Sequence, residues 1–251
     1  FDGNAFERYA TTDGETVATV SSLLAIPGGG LWVGLRRGGV SLIRDGELTD
    51  YGPGSGFPTG AVYGLARDHD GDVWAAANDG LARFDGVRWH TVSTNWGFPD
   101  DNARAVFVDR DGTLWAASEN RLFFLPRGSQ RFVDADQPVG WVSQITQTRD
   151  GTLWIAELHP GRVRPILFSG EAPPPLEVVS AGLAADRDGN LWIGTQGQGL
   201  LRLPDAGRHL STSSGPLAAA LQHYGHLDGL SADDIEPVFE DEAGNVWVGT
   251  S

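Results

Sequence analysis

The sequence predicts an all-β fold, a β-propeller built from four-stranded blades. A Leu-Trp or Val-Trp pair recurs six times along the 251 residues, with successive tryptophans 42, 41, 39, 38 and 55 positions apart. Short apolar stretches surround each pair, and turn residues, many of them among the 35 glycines, separate these stretches. Because one such unit cannot bury both of its faces, neighbouring units must stack on each other.

The second unit shows the pattern of one blade. An apolar stretch at 61–66 is followed by the turn Asp68-His69-Asp70-Gly71, and further strands are predicted at 73–77, 80–84 and 88–92. Aspartate and glycine suit tight turns because they tolerate positive φ and satisfy local backbone groups. Four short strands in one unit of the repeat match a propeller blade.

The recurring tryptophans are predicted to fill the seams between blades rather than to form an aromatic ligand box, because their spacing follows the repeat. The acidic turns resemble part of a calcium loop but lack its remaining ligands and closing glutamate. We therefore predict plain hairpin turns, no metal site and no cofactor. The predicted seam residues are Trp32, Trp74, Trp115, Trp154, Trp192 and Trp247.

The two ends of the chain predict how the ring closes. The sequence opens with the second half of a unit, since Phe1-Asp2-Gly3 matches 84–86, and it ends at 244–251 with the first half of one. Shared in one blade, the termini would give six blades in a single propeller domain spanning 1–251, with 204–221 as a loop excursion and the outer strand resuming at 218–224. The alternative is part of a seven-bladed or longer array.

The amino-acid composition argues against several classes of binding partner. The formal net charge of -15 argues against nucleic acid and against anionic membrane surfaces. The absence of cysteine rules out disulfides and thiolate metal sites. We therefore expect a small-molecule ligand, with no nucleic acid and no membrane contact by this chain itself.

Several segments resemble the repeat of two-component regulator propellers. These are Asp228-Gly229-Leu230-Ser231, the stretch 244–250, Gly80-Leu81-Ala82-Arg83-Phe84 and the stretch 189–195. The resemblance implies the periplasmic sensor part of a bacterial receptor whose histidine kinase or diguanylate cyclase lies outside this chain. Some similar receptors sense oligosaccharides, so an oligosaccharide is one expected ligand, and a homodimer through the full receptor is one expected assembly.

The fourth unit departs most from this family pattern. Thr148 replaces the first turn aspartate, and Gly161-Arg162-Val163-Arg164 replaces Gly-Leu-x-Arg. We expect the outer half of this blade to be irregular.

Ligand-binding residues are expected on the loops that enter each first strand and on those between second and third strands, because these loops vary most between units and lie on a rigid scaffold. Trp96 and Trp141 fall outside the repeated tryptophan position. Beside arginine, asparagine and glutamine, such rings suit a polar ring-shaped ligand such as a sugar; the alternative is that both rings only cover the core. The candidates are Arg36, Arg37, Asn78, Trp96, Arg104, Arg121, Trp141, Glu157, His159, Gln196, Gln198 and Asp234.

Two other function classes stay open at this point. Some six-bladed propellers are lactonases or lyases with a metal in the channel, and Glu157, His159, Asp100, Asp101 and Asp234 could converge in that way. A protein-interaction platform is the third class, and a large exposed apolar patch would support it. No catalytic residues are predicted, and the chain is expected to be a sensor rather than an enzyme.

Overall fold

A computed structural model describes residues 19–99, 101–210 and 215–250. The chain divides into two compact units, Phe1–Ala103 and Arg104–Ser251. The described residues form antiparallel β-sheets in which each strand pairs with its neighbours in sequence, together with short 3-10 turns. Among these residues, no helix is long and apolar enough to cross a membrane.

The first unit contains two four-stranded sheets. Their strands are β1 Val20–Ala25, β2 Leu31–Leu35, β3 Val40–Arg44, β4 Glu47–Tyr51, β5 Val62–Arg67, β6 Val73–Ala77, β7 Gly80–Phe84 and β8 Trp89–Val92.

The second unit contains four sheets of four, three, four and two described strands. Their strands are β9 Ala105–Val108, β10 Leu114–Ala117, β11 Arg121–Leu125, β12 Val133–Pro138, β13 Trp141–Gln147, β14 Leu153–His159, β15 Arg162–Ile166, β16 Ser180–Ala185, β17 Leu191–Thr195, β18 Leu200–Leu203, β19 Gln222–Tyr224, β20 Ile235–Glu240 and β21 Val246–Thr250.

The six sheets confirm the predicted number of blades. The expected irregularity of the fourth sequence repeat is also confirmed. Within the described range 101–210, its sheet, β13–β15, has no regular fourth strand, and only one bridge between Val163 and Leu176 stands in its place. The predicted pairing of the N-terminal residues with the last sheet falls in 1–18, outside the described residues.

The excursion at 204–221 differs from its prediction in one respect. The stretch Leu217–Ala220 is a 3-10 turn, and the outer strand starts at Gln222, later than expected. The side chains of Ala206 and Leu217 lie in the core around Trp154. The burial of these two apolar side chains fixes the excursion, and the outer strand begins only after it, at Gln222.

Within each unit, the first strands of consecutive sheets contact each other. β1 contacts β5 in the first unit, and in the second unit β9 contacts β13, β13 contacts β16, and β16 contacts β20. Gly182 on β16 shows how close this approach is, because a Cβ there would lie 1.8 Å from the carbonyl oxygen of Glu236 on β20. Only glycine fits at such a backbone contact.

Four of the recurring tryptophans pack against the next sheet, as predicted for seams; one of them, Trp192, packs on the buried cluster that includes Ile235 and Val238 of the last sheet. The ring of Trp32 lies 5.3 Å from Trp89 and 5.0 Å from Phe84, which belong to the second sheet. Trp115 and Trp154 belong to buried clusters that include side chains of the following sheet. Trp247 differs: it is 38% exposed and stacks on Phe239 of its own sheet.

A hydrogen bond that was not predicted from the sequence ties four of the six recurring tryptophans to the acidic turns. The indole N–H of Trp115 donates to Oδ2 of Asp109 at 2.8 Å, while Oδ1 accepts the backbone N–H of Asp111 and of Thr113. One carboxylate thus closes the turn and satisfies the buried indole. The same tryptophan–aspartate bond joins Trp74 to Asp68, Trp192 to Asp186 and Trp247 to Asp241, at 2.7, 2.8 and 2.7 Å.

These bonds favour the ionised carboxylates. Hydrogen bonds from Trp247 and Asn245 lower the pKa of Asp241 to about 2. Burial opposes ionisation of Asp186, but hydrogen bonds from Asn190 and Trp192 outweigh it and lower its pKa as well. Asp186 and Asp241 therefore carry negative charge at neutral pH.

Arginines also link neighbouring turns in the second unit. Arg110, next to the third-sheet turn aspartate, donates to the carbonyl oxygens of Arg149 at 2.8 Å, of Gln147 at 3.2 Å and of Thr148. Arg187 makes the same kind of bond to the turn at 241–242 of the last sheet. A guanidinium can bridge several carbonyls at once because its donors form a fixed fork.

The fourth turn supplies a test of the tryptophan–aspartate bond. Thr148 stands where four of the other turns have aspartate, and the buried indole N–H of Trp154 has no partner among the described residues. Thr148→Asp should supply the missing acceptor and stabilise the protein by about 1 kcal/mol, raising the thermal midpoint by about 2–4 °C.

The reverse change, Asp109→Thr, should lower the midpoint by at least as much, because it leaves the Trp115 indole unsatisfied. Differential scanning calorimetry of both variants checks this. A Thr148→Asp midpoint at or below that of the wild type would contradict the interpretation.

Candidate functional site

Three of the predicted ligand residues, Arg104, Trp141 and His159, meet Glu119 in the second unit, in a cluster that we call the Trp141 shelf. Arg104 immediately precedes β9, Glu119 lies between β10 and β11, Trp141 begins β13 and His159 ends β14. Trp141 and His159 are directly paired in the β13–β14 ladder. Loops that enter a first strand and loops between second and third strands therefore meet in this cluster, as the choice of candidates assumed.

The centre of the shelf is a cation stacked on an aromatic ring. The guanidinium carbon of Arg104 lies 4.1 Å from the ring centroid of Trp141. Its Nε and Nη2 both donate to Oε2 of Glu119, at 2.9 and 2.6 Å. Arg104 is 6% exposed, whereas Trp141 is half-buried and His159 is exposed, with their ring centroids 5.6 Å apart. A largely desolvated guanidinium over a tryptophan makes a strong cation–π contact.

Below the shelf lies a fully buried carboxylate, Glu157. It accepts hydrogen bonds from Nε and Nη2 of Arg162 at 2.5 and 3.1 Å, from Nε of Arg164 at 2.9 Å and from the backbone N–H of Gly140 at 2.5 Å. Burial opposes ionisation, but the bonds from Arg162, Arg164 and Gly140 outweigh it and lower the pKa of Glu157. Glu157 is thus an anion supporting the shelf from inside, not a side chain on its surface.

This buried network holds the backbone that leads into Trp141. Glu157 fixes the N–H of Gly140, and Nη2 of Arg164 donates to the carbonyl oxygen of Pro138 at 2.8 Å. Gly140 itself packs on β14, where a Cβ would lie 1.9 Å from the carbonyl oxygen of His159. The position of Trp141 is therefore fixed by the hydrogen bonds to Pro138 and Gly140 and by the packing of Gly140 on β14.

The remaining candidates of the second unit make other contacts. Arg121 is exposed and pairs with Asp134 on β12 at 2.7 Å. Gln196 and Gln198 lie in the exposed turn between β17 and β18, and Asp234 is exposed just before β20.

In the first unit, Arg36 and Arg37 are exposed in the turn between β2 and β3. Asn78 accepts a hydrogen bond from the Tyr63 hydroxyl at 3.1 Å and donates one to Asp79 at 3.0 Å. Each of these polar groups lies on a predicted loop type.

Trp96 takes part in a different arrangement, which we call the Trp96 hollow. Its half-buried ring lies 6.0 Å from Trp74, and the guanidinium of Arg83 lies over it at 5.4 Å. Trp96 was predicted as a loop residue, and its contacts with Trp74 on β6 and Arg83 on β7 were not predicted. The hollow has a volume of about 280 Å³ and is lined by Arg83, Asp85, His90, Thr91, Val92 and Trp96.

The metal centre considered as an enzyme alternative is not assembled in the part of the chain that the structure describes. No group of three or more histidine, aspartate or glutamate side chains there could hold a metal ion. Asp100, one of the residues considered for it, lies outside the described residues.

The sequence profile of the two component regulator propeller matches residues 97–120 and 174–197. A search of curated proteins finds no significant match. The first matched segment contains β9 and β10 with Trp115, and the second contains β16 and β17 with Trp192.

Solved structures share the fold. The extracellular domain of BT4673 from B. thetaiotaomicron, assigned as a hybrid two component system, superposes with a TM-score of 0.76 at 20% identity, covering 100% of this chain and 34% of that one. The corresponding domain of BT3049 gives 0.74 at 19% identity, covering 93% and 32%. This chain spans about a third of those domains.

Virginiamycin B lyase from Staphylococcus aureus superposes with a TM-score of 0.69 at 18% identity, covering 93% of this chain and 78% of the lyase. At such identities the likeness is one of fold. Together with the six sheets and the matching profile, it confirms the β-propeller class.

The buried carboxylate generates a prediction. Glu157→Gln removes the charge that two arginines share and should destabilise the protein by about 2 kcal/mol, below the range for fully buried pairs because the arginines are partly exposed. Chemical denaturation at pH 7 measures this. Asp134→Asn, which breaks the exposed pair with Arg121, is the control and should cost about 0.5 kcal/mol or less.

The same variant has a predicted pH dependence. Because the folded pKa of Glu157 lies below its ordinary value of 4.5, its contribution is present above that pH and is lost as the pH falls through the folded value. The stability difference between wild type and Glu157→Gln should therefore shrink in acid. A difference that stays constant down to pH 3 would contradict an ionised Glu157.

Proposed function

Because this chain carries repeats of the two component regulator propeller family, we propose that it is an extracytoplasmic ligand-sensing domain of a bacterial receptor. The proposal treats 1–251 as one β-propeller domain located in the periplasm, with the output kinase or cyclase elsewhere in the protein. The fold shared with the extracellular domains of BT3049 and BT4673 supports it. In this proposal the chain is itself not an enzyme.

The Trp141 shelf is the proposed ligand site, and one observation carries the proposal. A buried arginine stacks on a half-buried tryptophan, held by a salt bridge on one side and a buried ionic network below. Such a ring is rigid before any ligand arrives, so little conformational entropy is lost on binding. Trp141, His159 and Glu119 together offer an apolar face, a ring nitrogen and a carboxylate.

A polar ring such as one unit of an oligosaccharide fits these groups best. The C–H face of such a ring packs on an indole, and its hydroxyls donate to carboxylates and accept from ring N–H groups. The acidic protein would repel an anionic ligand, since its formal net charge is -15. Binding would favour one receptor conformation, and pairing of two receptor chains would pass the change to the output domain.

A lyase-like activity is the second candidate, favoured only by the fold shared with virginiamycin B lyase. It would require residues of this chain to act on a bound substrate. The test of the sensor proposal also separates the two.

The test is a thermal-shift screen of purified protein against soluble oligosaccharides, followed by calorimetric titration of any hit. A ligand at about 100 times its Kd should stabilise the fold by about 2.7 kcal/mol. Trp141→Ala should weaken binding by about tenfold or more, since it removes the aromatic face. Arg127→Gln, an exposed change in the turn at the far end of β11, is the control and should leave the affinity unchanged.

Two results would contradict the proposal. One is a hit whose affinity survives Trp141→Ala. The other is chemical conversion of the ligand by the wild-type protein that Trp141→Ala or His159→Ala abolishes, which would point to the enzyme instead.

A further inference from the structure

We propose that the Trp96 hollow binds a small organic cation, a ligand of different chemistry from the one proposed for the Trp141 shelf. The hollow lies in the first unit, where the side chains of β7 and β8 face the 3-10 turn Thr94–Trp96. Its volume of about 280 Å³ suits a molecule of a few heavy atoms to one small ring.

With His90 uncharged, the charges around the hollow leave one carboxylate in excess. Arg83 is neutralised by Asp72, which accepts a hydrogen bond from its Nε at 2.7 Å and forms an ion pair with its Nη2. Asp85 has no arginine of this kind beside it: its oxygens accept the backbone N–H groups of Val87 and Arg88 at 2.9 Å each, and His90 Nε2 lies 2.7 Å from its Oδ2.

Asp85 still has room for another donor. A carboxylate has about four lone-pair sites, and three of them are used in these contacts. Its side chain is 35% exposed and lines the hollow, as does that of His90, which is 42% exposed. An ammonium group entering the hollow could therefore donate to Asp85.

The walls of the hollow favour a cation with an apolar body. Val92 and Trp96 give apolar surface, and the ring of Trp96 already has the Arg83 guanidinium 5.4 Å from its centroid. Tryptophan attracts cations more strongly than other aromatic side chains. An anion would face Asp85, and the formal net charge of -15 concentrates cations around the protein.

Three probes of nearly the same shape test this: cyclohexylammonium, cyclohexanol and cyclohexanecarboxylate. The protein is labelled with 5-fluorotryptophan, and Trp96→Phe assigns one of the nine fluorine resonances to Trp96. Cyclohexylammonium should shift that resonance saturably. Cyclohexanol should bind about fivefold more weakly or worse, and the carboxylate should have no effect at the same ionic strength.

Two sets of variants locate the charge that matters. Asp85→Asn keeps an acceptor for the turn but removes the charge, and it should weaken cyclohexylammonium binding by about tenfold. Thr91→Arg places a cation at an exposed rim position and should weaken binding equally, whereas the matched Thr91→Gln should not. If Asp85→Asn does not fold, the Thr91 pair decides the question.

The proposal is overturned if cyclohexanol binds as tightly as cyclohexylammonium, if the Trp96 resonance does not move, or if Thr91→Arg and Thr91→Gln behave alike. Trp141→Ala separates this site from the shelf: it should leave cyclohexylammonium binding intact, whatever the outcome of the oligosaccharide screen.

Discussion

The hydrogen bond between a seam indole and the first aspartate of an acidic turn is the interaction on which the rest of the structure depends. A buried tryptophan provides a large apolar surface but carries an N–H that costs about 1–3 kcal/mol if it is left unsatisfied. In the third sheet, Asp109 satisfies the Trp115 indole and closes its turn with the same carboxylate. The same carboxylate therefore fixes both the turn and the buried tryptophan, and with them the register of the two strands that the turn joins.

That coupling leaves the opposite ends of the strands free to differ. The turn aspartate recurs in four of the six sheets, whereas the loops at the opposite strand ends carry Asn78 in the first unit and the Trp141 shelf, Gln196 and Gln198 in the second. A second interaction makes the shelf rigid. The anionic Glu157 pairs with Arg162 and Arg164 and accepts the backbone N–H of Gly140. A rigid scaffold below and variable polar groups above is the arrangement expected of a binding domain.

Much of the fold follows from the sequence because local rules are sufficient for it. The strands at 73–77 and 80–84 were predicted at the bounds where they occur, since turn residues on either side delimit them. The burial of Glu157 was not predicted, because it depends on the β14–β15 register that places Arg162 opposite it. The departure Gly161-Arg162-Val163-Arg164 was the available signal. The Trp96 hollow was missed because its residues come from two strands and a turn, and no single stretch shows the pattern.

Hydrogen exchange of the indole N–H protons, followed by NMR, tests the central claim most directly. Trp115 is buried and bonded to a turn aspartate, whereas Trp96 is half-buried on the hollow. If the tryptophan–aspartate bonds hold seam and turn together, the Trp115 indole proton should exchange about 100-fold or more slowly than that of Trp96. Equal exchange at the two positions would contradict the account.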